Sequence, residues 1–241
     1  YIYNEGNVFG TYYHITYSYN RDLQVEIDKR LAMVDASLSP FNKRSIITAV
    51  NENRDVRVDS MFSHVFNLAQ TVSEATNGAF DITVAPLVNA WGVGFAKKDS
   101  VTSSAILNLL KTVGYRKVSL SDGGRVIKQN PETKLDCSAI AKGYGCDVVA
   151  ALFNELGIKD YLVEIGGEIV AKGKNSKNTA WNIGINRPVD DSTQVNNEIE
   201  AVVELSDCGM ATSGNYRRFY YRNGKRYAHT IDPRSGYPVQ H

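Results

Sequence analysis

Residues 10–40 read GTYYHITYSYNRDLQVEIDKRLAMVDASLSP, and a change of period inside them decides the fold class. In the first ten, Thr11, Tyr13, Ile15, Tyr17 and Tyr19 alternate on one face. They are β-branched or aromatic, which predicts a strand. From Asp22 the apolar spacing lengthens: Leu23, Ile27, Leu31, Val34 and Leu38 recur at helical intervals and stop before Pro40. Strand and helix therefore each present one apolar face.

Working outward, a second helix follows Asp59, carries Phe62, Val65, Phe66, Ala69 and Val72 towards a core, and stops at Asn77-Gly78. A shorter helix is predicted over Ser104 to Thr112. Residues 117–129 (KVSLSDGGRVIKQ) read as a hairpin around Asp122-Gly123-Gly124. A further helix runs from Ser138 to Leu156 and is closed by Gly157. Strands follow in residues 160–173, 181–188, 199–207 and 217–231, where Asn223-Gly224 is the strongest two-residue hairpin signal. Helices interleave with strands early and antiparallel hairpins dominate late. The expected class is α+β, antiparallel or mixed sheets covered by helices on one side, in a single domain over residues 1–241.

A length of 241 residues with 43% hydrophobic and 22% charged content is ordinary for a soluble globular chain with a sizeable core. The formal charge of +1 leaves no polyanion footprint, so nucleic acid is excluded as the expected partner. No apolar run approaches a membrane span. The chain opens on Tyr1, which allows a removed export signal. Cys137, Cys146 and Cys208 show no metal spacing and are expected as buried free thiols. There is no G-x-G-x-x-G, no G-x-x-x-x-G-K-[ST], no H-E-x-x-H and no G-x-S-x-G.

Four segments carry more glycine and small polar residues than a core or a solvated face needs. In NGAFDITVAPLVNAWGVGF (77–95), Gly78 frees the backbone, Asp81 can accept hydrogen bonds, and Trp91 offers a flat apolar surface. A helix-to-strand connection with Trp91 in the core explains the same residues. In LDCSAIAKGYGCD (135–147), Asp136 falls at the N-cap of a helix and Lys142 lies in its first turns between small residues. Gly143 and Gly145 each cost the helix about 1 kcal/mol relative to Ala, so close packing or ligand approach must be gained. A capping Asp and a surface Lys is the other reading.

In CGMATSGNYRRF (208–219), hydroxyls and two adjacent arginines suit a pyrophosphate, or decorate an edge strand. Near the end, His229 closes a strand before the turn Asp232-Pro233-Arg234-Ser235-Gly236. A His there can serve as a general base around neutral pH or can be structural.

Taken in order, these segments resemble the ApbE family of bacterial FAD:protein FMN transferases. FGTYYHITY, LSPFN, GAFDITVAPLVNAWGVGF, LDCSAIAKGYG, VEIGGEIVAKG, ATSGNYRRF and AHTIDPRSGYP carry the resemblance over essentially the whole chain. It implies an exported, often lipid-anchored enzyme of the periplasm or cell envelope. Such an enzyme takes FAD and Mg²⁺ and joins the FMN half to a Thr or Ser hydroxyl of a membrane redox subunit, releasing AMP. By the same resemblance Phe9, Phe41, Ala79, Phe80 and Asp81 line the flavin site, and Asp136, Lys142 and Ile231 contact FAD. Ala139 helps ligate the metal through its carbonyl, and His229 is the general base.

The sequence departs from the family at position 9, where Met is usual, and at position 41, where Tyr is common. The family's main side-chain Mg²⁺ ligands, an Ala-Asp-…-Ala-Thr motif in a further strand and helix, are expected past His241. Two other functions fit the same residues: an FAD pyrophosphatase giving FMN and AMP, and a non-catalytic FAD-binding protein.

Overall fold

The computed structural model describes residues 1–92, 101–187, 199–214, 219–222 and 225–239. The chain runs β1 (Ile2–Val8), β2 (Thr11–Tyr17), α1 (Gln24–Leu38), α2 (Ile46–Asn51), α3 (Ser60–Ala75), α4 (Ala85–Ala90) and α5 (Ser103–Leu110). It continues through β3 (Val118–Leu120), β4 (Val126–Lys128), α6 (Ser138–Glu155), β5 (Tyr161–Ile165) and β6 (Glu168–Lys172). β7 (Trp181–Asn186), β8 (Ile199–Leu205), β9 (Cys208–Met210), β10 (Phe219–Arg222) and β11 (Lys225–Ala228) follow. Two compact units are formed: Tyr1–Ala36 with Ala139–Gly214, and Ser37–Ser138 with Asn215–His241.

The first unit is built on a five-stranded sheet in the order β1-β2-β5-β6-β9, antiparallel at every pairing. The predicted alternation decides which face is dry. Tyr13, Ile15 and Tyr17 join Tyr161, Val163 and Ile165 in one layer, under Leu23 just ahead of α1, Ile27 and Leu31 of α1, and Val149 and Phe153 of α6. Helices thus cover one side, as expected. On the other side Ile169 and Ala171 of β6 are covered by Trp181, Ile183 and Leu205 of the β7–β8 hairpin. Within the buried layer Tyr17 is satisfied locally, donating to Asn4 Oδ1 at 2.7 Å and accepting from the Leu23 amide.

The second unit holds α3, which starts where Asp59 predicts: its Oδ1 accepts from the Phe62 amide at 2.8 Å. It ends through two left-handed residues, Asn77 (φ 51°) and Gly78 (φ 76°), with the Gly78 amide donating to the Ser73 carbonyl. The β3–β4 hairpin turns at the predicted Asp-Gly-Gly, with Gly124 left-handed. β10 and β11 pair so that Arg222 faces Lys225, while Asn223 and Gly224 themselves lie outside the described residues. Leu87, Trp91, Ile106, Val113 and Ile231 form an apolar cluster of this unit around α4 and α5.

Some expectations need correction. The stretch after Asp81 leads into no strand; it forms a 3₁₀ turn over Ile82–Val84 and then α4, with Pro86 in the first turn, where a missing N–H costs nothing. β1 is a strand although Asn4, Glu5, Gly6 and Asn7 are poor strand formers, because seven consecutive residues pair with β2. Cys137 and Cys146 are buried, but Cys208 is exposed on the short outer strand β9. Among the described residues no helix is long and apolar enough to cross a membrane.

Candidate active site

In the first unit two tight turns lie at the same end of the sheet, since β2 begins and β5 ends there and Tyr13 pairs with Ile165. Phe9 and Gly10 link β1 to β2, between the paired residues Val8 and Thr11. Both are left-handed, at φ 52° and 72°. A two-residue turn of that hand favours Asn, Asp or Gly first, and a left-handed L-residue costs about 1–2 kcal/mol. The Phe9 ring is held by packing: a Cβ on Gly145 of α6 would lie 2.8 Å from its Cε2.

The second turn is Gly166-Gly167, left-handed at φ 54° and 93°, between the paired Ile165 and Glu168. Its first amide donates to the Tyr12 carbonyl at 3.0 Å. A side chain at Gly166 would strike Thr11 at 2.7 Å and crowd Lys142 Cδ at 3.3 Å. Lys142 reaches this turn from α6. Its Nζ donates to the Gly166 carbonyl at 3.2 Å and pairs with Glu168 Oε2 at 2.7 Å. Glu164 accepts from the Gly167 amide at 2.7 Å and pairs with His14 Nδ1 at 2.8 Å. Ala139 is exposed in the first turn of α6.

In the second unit Asp81 is buried and saturates local donors. Its Oδ1 accepts from the Thr83 amide at 2.8 Å and the Thr83 hydroxyl at 2.7 Å, and its Oδ2 accepts from the Tyr115 amide at 2.7 Å. Asp136 is tied beside it, because the Asp136 amide donates to the Ile82 carbonyl at 2.7 Å. Asp136, expected at the N-cap, stands one residue ahead of it because α6 begins at Ser138, and its carboxylate accepts from the Ser138 amide at 2.8 Å. The backbone at Gly78 is approached by protein, with the Tyr115 ring 3.5 Å and Arg234 Cγ 4.0 Å from where a Cβ would stand.

Trp91 Nε1 donates to the Gly236 carbonyl at 2.8 Å, so its ring belongs to the core and braces the last turn. In that turn Asp232 Oδ1 accepts from the Arg234 amide and Nε, both at 3.0 Å. Burial pushes the Asp232 carboxyl up, yet the Arg234 bonds outweigh it and hold the group below the usual carboxylate range. This turn is structural, as its Pro/Gly content suggests.

Residues 9–241 match the ApbE family. The chain belongs to the ApbE family. It is 37% identical to the FAD:protein FMN transferase of Haemophilus influenzae, across 98% of this chain and 72% of that protein. Among solved structures it resembles the flavin transferase ApbE from Vibrio cholerae, with a TM-score of 0.87, 35% identity, and coverage of 99% of this chain and 78% of that one. The apo form of the Pseudomonas stutzeri flavinyl transferase ApbE gives a TM-score of 0.86 at 30% identity, covering 100% of this chain and 76% of that one.

With the family established, the expected site residues can be sorted by where the fold puts them. Phe9 and Lys142 converge on the turn end of the first unit's sheet, and Asp81 and Asp136 on neighbouring backbone in the second. Ala79 is exposed and Phe80 half-buried just ahead of Asp81. Phe41 is 66% exposed. Ile231 has its side chain in the apolar cluster, which leaves its backbone for any polar contact. His229 is half-buried, immediately after β11. Arg217 and Arg218 lie outside the described residues, and Thr212 and Ser213 are exposed.

Residue-level reading missed Glu164 and Glu168. The available signal was Gly-Gly flanked by alternating apolar residues, which marks a hairpin and puts the acid after it beside the turn. Among the described residues no group of three His, Cys, Asp or Glu is placed to hold a metal. The Ala139 carbonyl therefore has no set of side-chain co-ligands there, and the described residues alone do not make an Mg²⁺ site.

Proposed function

We propose that this chain moves the FMN half of FAD onto a Thr or Ser hydroxyl of an acceptor protein. The observation that carries this reading is the family match over nearly the whole chain, with relatives named for that transfer. The acceptor oxygen forms a bond to the FMN-side phosphorus while the bridging P–O bond breaks and AMP leaves. The hydroxyl proton passes to a base and then to the leaving phosphate. His229 is assigned as that base, and Lys142 as the cation facing the diphosphate. On resemblance, Phe9, Phe41 and Phe80 are assigned as apolar walls for the isoalloxazine, Ala79 and Asp81 to the flavin site, and Asp136 and Ile231 to FAD.

Mg²⁺ at the Ala139 carbonyl belongs to the same reading on resemblance alone, and no step is routed through it. The acceptor is read as a membrane redox subunit, and the setting as the periplasm or cell envelope, with a lipid anchor in the precursor; these too rest on resemblance. The test mixes the chain with FAD, Mg²⁺ and an acceptor domain and weighs the acceptor intact. A mass gain of one FMN moiety is expected, and chelation of Mg²⁺ is expected to stop it. An unmodified acceptor overturns the reading, and free FMN and AMP without acceptor turn it into a pyrophosphatase. His229→Ala is expected to slow transfer by about 10²–10⁴-fold with FAD still bound. Unimpaired transfer removes His229 from the role.

A further inference from the structure

Two glycines two residues apart in one helix are an expense that packing explains only once. Gly143 and Gly145 both sit in α6, where each is unfavourable relative to Ala. Gly145 is accounted for. A Cβ there would stand 2.8 Å from Phe9 Cε2 and 3.2 Å from Ile165 Cδ1, so the missing side chain is the seat of the Phe9 ring. Gly143 has no such account: among the described residues nothing lies within 4 Å of where its Cβ would be. Nor does it serve a turn, because it lies inside the helix with no left-handed φ.

Its neighbours say what the bare backbone is for. Gly143 directly follows Lys142, whose ammonium is held by Glu168 and the Gly166 carbonyl. It also stands one helical turn after the exposed Ala139, on the same side of α6, and is itself half-buried. We propose that Gly143 is a specificity-determining residue, where the FAD substrate packs directly on the α6 backbone beside Lys142. This rests on the transferase reading. A helix accepts Gly at a solvated position without benefit, whereas a dinucleotide in contact with the backbone leaves no room for a methyl group.

The two explanations part in one experiment on the whole chain. Gly143→Ala should raise the melting temperature without ligand by about 2–4 °C, since Ala improves the helix and meets no neighbour. The same variant should bind FAD roughly tenfold more weakly, followed by quenching of flavin fluorescence, with Gly143→Leu weaker again. A raised melting temperature with unchanged FAD affinity overturns the proposal. So does a lowered one, which would mean that protein crowds the position. If the unsubstituted chain binds no FAD, the transferase reading falls and takes this inference with it. That outcome is distinct from wild-type binding that Gly143→Ala leaves intact.

Discussion

Phe9 in the first unit keeps a left-handed backbone because its ring is packed over Gly145 and against the unit's core. Asp81 in the second keeps an extended backbone, φ −156° and ψ 118°, with three protein donors on its two oxygens. One candidate residue is fixed by volume and strain, the other by hydrogen bonds. Strain at a binding residue is stable only while its surroundings over-determine it. A carboxylate offers about four acceptor positions, and the fold of this segment uses three of those of Asp81. The first unit should therefore be sensitive to added atoms and the second to lost acceptors.

The largest effect is expected at Asp81. Asp81→Ala strands the Thr83 and Tyr115 amides and the Thr83 hydroxyl in a buried setting. The expected loss is about 3 kcal/mol of stability, read from urea unfolding. Asp81→Asn should fall between, because its one carbonyl oxygen can still accept at one of the two positions while its NH2 cannot accept at the other. If Asp81→Ala stays within about 0.5 kcal/mol of the parent, the loop is not held by this carboxylate and the contrast with Phe9 fails.

Next comes Gly145→Ala, a substitution that helix propensity alone would call stabilising. The Phe9 contact reverses the sign, and a net loss of about 1–3 kcal/mol is expected. A Phe9→Leu partner should recover part of it, making the double variant less than additive, as residues in direct contact behave. Strict additivity would show that the ring moves aside freely, and that Phe9 is not wedged.

These two residues also mark how much was legible beforehand. The strand at residues 11–17, the helix from Gln24 to Leu38 and the Asp59 cap followed from periodicity and a local side chain–backbone bond. Such features depend on neighbours in sequence. β1 did not follow, since its pairing with β2 overrides the preferences of Asn4 to Asn7. The sequence marks Asp81 as an acceptor, but one of its donors is the Tyr115 amide, 34 residues on, which no local pattern reveals. In the sequence Gly143 and Gly145 are alike, two costs to one helix. Only the tertiary contact separates them, one filled by Phe9 and one open.

The smallest effect asks whether polar groups of the second unit are all served as well as Asp81. Lys128 ends β4, and its Nζ donates to Asn53 Oδ1 at 3.0 Å. Burial, reinforced by Lys134 and opposed by Glu132, pushes its pKa down to about 8 from 10.5. Between those values the unfolded chain binds the extra proton, so stability rises with pH across that window; below about 8 the charged amine carries its full penalty in the fold. Lys128→Gln should thus stabilise the chain at pH 7, by about 0.5 kcal/mol given the solvent that still reaches the side chain. That advantage should shrink as the pH is raised towards 10. Comparing the two proteins at each pH cancels every other titrating group. A difference that stays constant from pH 7 to 10 would mean Lys128 is well solvated, and that in this unit Asn53 serves its cation as completely as Thr83 and Tyr115 serve Asp81.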